Sequence, residues 1–440
     1  MRKTNSREIA LKILKEIETE LSFANETILR FSKRFSLSDL DRRFITEIVV
    51  GTTKYRKRID YLLGFVLKKD LLSLTPWIRN ILRMGIYQID FMDRIPHPAA
   101  VDESVKLALK FGHKGTSSLV NAVLRNFIRD KNKIGYPKDK SEYLSVYYSF
   151  PQWMINSWLS SFGEEDTVEL CRYFNRRPNI CFRVNSLKAD LGEFEKALKN
   201  SKLKYQRGLY LENFFYLKSQ VELENFLPFQ AGGIYLQDES AGLPVLLLAP
   251  KPKENILDLC VAPGGKAGFM AELMDNKGRI RGVDISEKRL ETTRENLNRL
   301  GIKIVELICA DAKEFSFSVF DRILLDAPCT GLGVLGRNAD LRWRKKSEDV
   351  KRLAKLQLEI LLNTADLVKR SGALVYSTCT LTREENDGVV EKFLEKRDDF
   401  KKVSAKNFID KKLVDEKGMV RTFPFEHKLD GSFTCRLERI

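Results

Sequence analysis

Only three histidines occur in 440 residues, and none of the seven cysteines belongs to a Cys-x-x-Cys pair. Zinc ligation at the usual spacing is thereby excluded. The cysteines (Cys171, Cys181, Cys260, Cys309, Cys329, Cys379 and Cys435) are odd in number and scattered, so they give no disulfide framework. Any cysteine chemistry must run on free thiols. Long apolar runs are also missing: nothing approaches the roughly 18 to 20 residues that a membrane helix requires. The opening MRKTNSREIALKILKEIETE carries acids within its apolar periodicity, which predicts an amphipathic helix and no secretory leader. There is neither a fixed-period repeat nor a low-complexity segment. What remains is the expectation of a cytoplasmic enzyme or binding protein without metal or membrane.

Charge, by contrast, is plentiful and one-sided. Residues 1–140 hold 28 basic against 16 acidic residues, +12 of the chain's +16, while 141–230 are neutral and 231–440 carry +4. Clustered Lys and Arg gain affinity for a polyanion by releasing its counterions, so nucleic acid is the expected partner of the first third. The length exceeds what one core usually serves, which predicts two or three domains.

The first 140 residues read as helices. Ile9, Ile13 and Ile17 share a stripe, as do Ile78, Leu82, Ile86 and Ile89, and Val120, Val123, Leu124, Phe127 and Ile128. Thr75-Pro76 resembles a cap followed by proline at the first helical position, and KFGHKG at Lys110–Gly115 a helix stop. The basic stretches KYRKR (Lys54–Arg58), Lys68-Lys69 and RDKNK (Arg129–Lys133) are expected between helices, on the partner surface. Residues 141–230 form a small linking α+β segment in which ICFRVNSLKAD reads as strand and turn. From 231 to 440 apolar strands (NILDLC, RIRGVDI, KIVELICAD, FDRILLDAP, GALVYST) alternate with helical stretches at 266–274, 286–300, 349–370 and 384–396. That alternation predicts a mostly parallel α/β sheet with helices on both faces and a ligand at the carboxyl ends of its strands.

The first of these strands runs into Cys260, Val261, Ala262, Pro263, Gly264, Gly265 and Lys266, a tight turn that lets backbone approach a ligand at a helix N-terminus. It is neither G-x-G-x-x-G nor a Walker loop. Asp258, Asp284 and Asp311 recur one strand-helix unit apart, which brings three acids to one rim. Asp284 is placed to accept from ribose hydroxyls, and Asp311 to reach an adenine amino group. An adenosine-type cofactor follows, with NAD and S-adenosylmethionine both open at this point. The fourth strand ends in Asp326-Ala327-Pro328-Cys329 and the fifth in Ser377-Thr378-Cys379-Thr380. A lone free cysteine is usually a small apolar filler. Two at neighbouring strand ends, beside Asp326 and the cofactor loop, read as a reaction site.

DLCVAPGGK, GVDIS, CADA, LLDAPCTGLG and VYSTCTLTREEN, in this order and spacing, resemble the RNA cytosine-5 methyltransferases. GTTKYRKR, RMGIYQI and LVNAVLRNF resemble the RNA-binding fold of NusB, and together with FRVNSLK and QDES the whole chain is similar to the Sun/RsmB-type (Fmu-like) enzymes of small-subunit ribosomal RNA. Two departures are Ala339, where the family often has proline, and the polar Thr434 and Cys435 in the last strand. The resemblance implies a NusB-like all-α domain and a Rossmann-like catalytic domain. It also implies S-adenosyl-L-methionine as methyl donor with no metal, and a 16S rRNA cytidine as substrate, in RNA not yet, or only partly, assembled. A monomer is the default expectation.

DNA enzymes of this chemistry use the cysteine of a Pro-Cys pair, which would nominate Cys329. The RNA family implies Cys379 as the nucleophile at cytosine C6, with Cys329 assisting release and Asp326 holding the N3 and exocyclic edge of the base. Lys266 would favour the thiolate, scarce in a free cysteine of pKa about 8.5. Arg337, Arg342, Trp343, Arg344, Lys345 and Lys346 combine cations with an aromatic ring and could grip RNA. Two alternatives stay open: the same chemistry on another RNA such as tRNA, and a non-enzymatic RNA-binding or assembly protein.

Overall fold

Apolar residues three and four apart wind the first third of the chain into helices. In the structure, a computed structural model that describes residues 5–20, 22–201, 203–218 and 226–440, Asn5 caps the helix Ser6–Thr19, which buries Ile9 and Ile13. Residues 1–4 of the expected leading helix lie outside the described residues, as do 219–225 of the linking segment. Thr75 accepts from Ile78 N in front of Pro76 and so starts the helix Pro76–Phe91. KFGHKG both stops and restarts: His97–Phe111 ends at Gly112, and Lys114–Asp130 begins on the His113 ring, which accepts from Gly115 N. Asp39–Lys54 meets Pro76–Phe91 at Gly51, where a Cβ would fall 1.9 Å from the Tyr87 ring. Only glycine allows that approach, which also brings the Tyr87 hydroxyl to Glu47 at 2.7 Å.

This first compact unit comprises Met1–Arg176 and takes in Leu335–Lys345 from much later in the chain. The returning segment is anchored by Arg342, fully buried with its guanidinium 3.9 Å above the Phe150 ring, donating to Ser149 O at 3.1 Å and Asn175 Oδ1 at 3.0 Å. Trp343 Nε1 donates to Thr53 O at 2.6 Å. The expectation that this cluster grips RNA is therefore corrected for Arg342 and Trp343, which are spent on packing; Lys346 is exposed. KYRKR is corrected likewise. Lys54 ends one helix inside the unit, donating to Asn175 O and Arg176 O, and burial lowers its pKa to about 8. Arg58 pairs with Asp90 at 3.3 Å. The exposed cations of the unit include Lys68, Lys69, Arg125, Arg129 and Lys133.

The second unit, Arg177–Val334 with Lys346–Ile440, holds two sheets. Strands β1 (Ile180–Val184), β2 (Tyr205–Arg207), β3 (Phe214–Leu217) and β4 (Ile234–Leu236) form an antiparallel sheet in the order β2-β3-β1-β4. The larger sheet uses β5 (Asn255–Leu259), β6 (Arg279–Asp284), β7 (Val305–Cys309), β8 (Phe320–Asp326), β9 (Val368–Thr378), β10 (Phe400–Val403), β11 (Val420–Thr422) and β12 (Ser432–Arg439). Its order is β10-β12-β9-β8-β5-β6-β7, with β11 on β12. Strands β5 to β9 are parallel, and β12 runs antiparallel between β9 and β10.

All five expected strands of the catalytic segment are present. The expected helix at 349–370 instead spans Ser347–Ala365, and Val368–Arg370 already belong to β9. Leu367 N turns back to Thr364 O, and Val368 pairs with Phe320, so strand pairing overrides the helical pattern. The chain leaves β5 for β6 and β7 on one side and then for β8 and β9 on the other. That switch point lies between β5 and β8, where the ends of two strands part and leave room for a ligand.

Candidate active site

Five strands, β5 to β9, deliver the side chains at this rim. The loop after β5 turns through Gly264, at φ 93°, into the helix Gly265–Leu273, whose first turn carries Lys266. A Cβ on Gly264 would meet Thr293 at 2.8 Å, so both backbone angle and space demand glycine there. Asp284, at the end of β6, is nearly buried and accepts from Ser286 N at 3.1 Å and Ala262 N at 3.4 Å. Arg289, which the sequence reading passed over, pairs with Asp284 at 3.2 Å and donates to Ala262 O at 2.8 Å, fixing the loop to the acid. Asp311, after β7, is partly exposed and accepts from Lys313 N at 2.9 Å.

The three recurring acids are not equivalent. Asp258 lies within β5 and is fully buried, with no hydrogen-bond partner among the described residues for either oxygen. Burial lifts its carboxyl well above the ordinary range, against the opposing charge of Lys266. Beside it, Lys266 Nζ lies 2.6 Å from Asp326 Oδ2. Burial works against the Lys266 charge, but Asp326, its nearest partner, keeps the proton on Lys266 and raises its pKa; Asp258 and Cys379 add to that attraction. Asp326 Oδ1 accepts from Ser377 Oγ at 2.7 Å. Both oxygens of Asp326 thus face donors.

Asp326 and Ser377 are register partners across β8 and β9, and three residues beyond Asp326 the loop brings Cys329 to Cys379. The two sulfurs are 3.1 Å apart, and Cys379 N donates to Cys329 Sγ at 3.4 Å. The Cys329 thiol is held well above its usual pKa, first by its hydrogen bond to Cys379, then by burial and by the charges of Cys379 and Glu385. The other cysteines stand apart. Cys171, Cys181 and Cys435 are buried, burial pushes Cys260 up to about 12, and Cys309 is exposed at the end of β7.

Groups that the sequence did not mark hold this arrangement from behind. Arg183 of β1, fully buried, forks onto Glu272 at 2.6 and 3.0 Å and donates to Gly265 O at 3.1 Å. The small sheet thereby clamps the helix that carries Lys266. Its only sequence signal was the FRVNSLK stretch, and nothing there names Glu272 as partner. Glu385 is likewise buried and joins the two cysteine loops.

The donor set suits a nucleoside cofactor. Asp284 and Asp311 are acceptors at successive strand ends, Ile285 beside Asp284 exposes an apolar side chain (68%), and the Cys260–Gly265 turn lies at the start of a helix. Among the described residues no three His, Cys, Asp or Glu side chains gather as a metal site would need, and no helix is long and apolar enough to cross a membrane.

A parallel sheet with β12 inserted antiparallel, and a cofactor turn after its central strand, defines a Rossmann-like methyltransferase. Residues 245–438 match the family 16S rRNA methyltransferase RsmB/F, residues 4–129 the NusB family, and residues 150–224 the ferredoxin-like domain of the RsmF/B-like methyltransferases. The probable ribosomal RNA small subunit methyltransferase B of Bacillus subtilis is 35% identical, with all of both chains covered. Ribosomal RNA small subunit methyltransferase B of Vibrio cholerae is 32% identical over 83% of this chain and 84% of that one. Among solved structures, that of PH0851 superposes with a TM-score of 0.86 at 28% identity, covering 99% of each chain. A methyltransferase homologue from Pyrococcus horikoshii gives 0.60 at 29%, over 67% of this chain and 97% of that one. The chain belongs to the RsmB/F family of S-adenosylmethionine-dependent rRNA methyltransferases, with a NusB-type helical domain ahead of the catalytic one.

Proposed function

We propose that the protein methylates C5 of a cytidine in 16S ribosomal RNA, through a transient bond between Cys379 and cytosine C6. The observation that carries this is the pair of thiols 3.1 Å apart at the ends of adjacent strands, next to Lys266 and Asp326. Cytosine C5 is too electron-poor to attack a methyl group unaided. Addition of the Cys379 thiolate at C6 moves the ring's π electrons toward C5 and makes it nucleophilic. S-adenosyl-L-methionine supplies the methyl group as a sulfonium; loss of the C5 proton and cleavage of the C6–S bond then restore the aromatic ring and the free thiol.

Each residue has a defined share. Lys266 sets a positive charge beside Cys379 and orients Asp326. Asp326, with donors on both oxygens, is an acceptor for the exocyclic amino group of cytosine. Asp284 and Asp311 would hold the nucleoside, with Ile285 under the base. Cys329 assists release. The base must leave its stack to reach these groups, so the target is single-stranded or flipped. The helical unit, which carries most of the excess charge, supplies the RNA-binding surface, and the work falls in the cytoplasm where the ribosome is built.

The test is transfer of labelled methyl from S-adenosylmethionine to rRNA from cells deleted for the gene, followed by mapping. One methylated 16S cytidine is the expected result. Methylation confined to tRNA would replace the substrate, and no transfer to any RNA would leave a binding protein.

A further inference from the structure

Glu385 has no part in the steps above, yet it is fully buried and its carboxylate is saturated. Oε1 accepts from Thr330 N at 2.8 Å and Gln357 Nε2 at 3.0 Å; Oε2 accepts from Thr330 Oγ1 at 2.6 Å and Thr382 Oγ1 at 2.8 Å. Thr330 follows Cys329, and Thr380 follows Cys379. The two hydroxyls lie 2.8 Å apart, so Thr380 can donate to Thr330 while Thr330 donates to Glu385. Gln357 also holds Pro328 O at 3.0 Å, so the residues on both sides of Cys329 are tied to this one acid. Every one of these partners is neutral. Four donor atoms thus converge on one buried carboxylate between the two cysteine loops.

The surroundings differ on the two sides. Cys329 faces Cys379, Glu385 and the buried Tyr376 hydroxyl, which itself donates to Glu385 O at 2.6 Å. Cys379 faces Cys329 and Lys266, which is hydrogen-bonded to Asp326 and feels the charge of Asp258. We infer that Glu385 is a positioning residue for the thiol pair: it fixes the two loops with their sulfurs at hydrogen-bonding distance and keeps the shared proton on Cys329, leaving Cys379 as the attacking sulfur.

This rests on the methyl-transfer reading and adds to it how two like residues divide the work. In the forward step the electron pair of Cys379 forms the C6–S bond, and the Cys329 proton stays where it is. In release, solvent water takes the C5 proton, the C5–H pair re-forms the ring double bond, and the C6–S pair returns to Cys379. The departing sulfur accepts a hydrogen bond from the Cys329 S–H as its charge develops. Cys329 thus serves release as a donor to the leaving group, with no need to become a base.

The test needs neither RNA nor cofactor. The phosphine-reduced protein is alkylated with iodoacetamide at a series of values over about pH 6 to 9, and the ratio of label on Cys379 to label on Cys329 is read by peptide mass spectrometry. The wild type should label Cys379 first. Glu385→Gln, which keeps the shape and removes the charge, should lower that ratio about tenfold, and Glu385→Asp should recover part of it. An unchanged ratio in a Glu385→Gln protein that melts like the wild type would overturn the proposal. Should that variant not fold, Thr330→Val removes the shortest bond to the carboxylate; a fall of about threefold supports the inference, and no change overturns it. If RNA methylation itself were absent while the ratio still fell, the methyl-transfer reading would be lost and the placement of the proton would stand.

Discussion

Cys329 and Cys379 are the same residue at equivalent ends of neighbouring parallel strands, with sulfurs 3.1 Å apart. Their company differs. Cys329 sits between Pro328 and Thr330, both tied to a buried network centred on an acid, and its proton is firmly held. Cys379 follows Ser377 and Thr378, next to an ammonium–carboxylate pair that opens toward the cofactor turn. Residue type and strand position alone cannot rank two such thiols, whereas the sign of the nearest charge can. On the proposed reading, an acid behind one and a cation beside the other divide the pair into proton keeper and nucleophile.

The largest effect should come from breaking the pair at its nucleophile. Cys379→Ala is expected to lower methyl transfer at least about 10⁴-fold and to abolish any covalent protein–RNA complex on denaturing gels. The lone Cys329 that remains should resist alkylation at neutral pH, because burial and Glu385 still hold its proton above the usual range. Cys329→Ala should do the opposite to the complex. One turnover is retained within about tenfold, and an RNA adduct accumulates because the leaving sulfur has lost its donor. Exchange of these two phenotypes would reverse the assignment.

Much of this pair was legible in the sequence, because cofactor turn, acids and cysteines are short motifs at strand ends, and strand ends of one parallel sheet share a rim. The strand rhythm gave their neighbourhood without coordinates. What stayed hidden were partners far apart in sequence: Arg183 and Glu272 are separated by 89 residues, Thr330 and Glu385 by 55. No local pattern links such residues. Charge was also misread as exposure. Lys54 and Arg342 look like an RNA grip in sequence, yet one spends its ammonium on backbone carbonyls and the other lies on Phe150, with burial lowering the pKa of each. A cation on an amphipathic helix declares only its charge. Whether an aromatic ring or a phosphate will meet it is decided by tertiary packing.

Lesions beside the thiols should be milder and should sharpen the contrast. Lys266→Met removes the cation from the Cys379 side and leaves Asp326 without its closest partner, so turnover should fall about 100-fold. The label ratio should drop as it does in Glu385→Gln, since either change weakens the same electrical gradient from opposite ends. Combining the two changes should then give about the product of their separate effects on that ratio, which a double-mutant cycle reads directly.

Ser377→Ala should have the smallest effect. It removes one donor from Asp326 and leaves the ion pair with Lys266 intact, so the charges around both sulfurs are unaltered. Losing a hydrogen bond to a charged group weakens cytosine placement by about 1.5 kcal/mol at the lower end of the usual range, roughly tenfold in kcat/KM when it acts only on the bound base. Partial exposure of Asp326 admits water to the vacated oxygen, which favours the lower end. The label ratio should not move. A ratio that fell with Ser377→Ala would mean that the geometry of β9, and not the opposed charges of Glu385 and Lys266, ranks the two thiols.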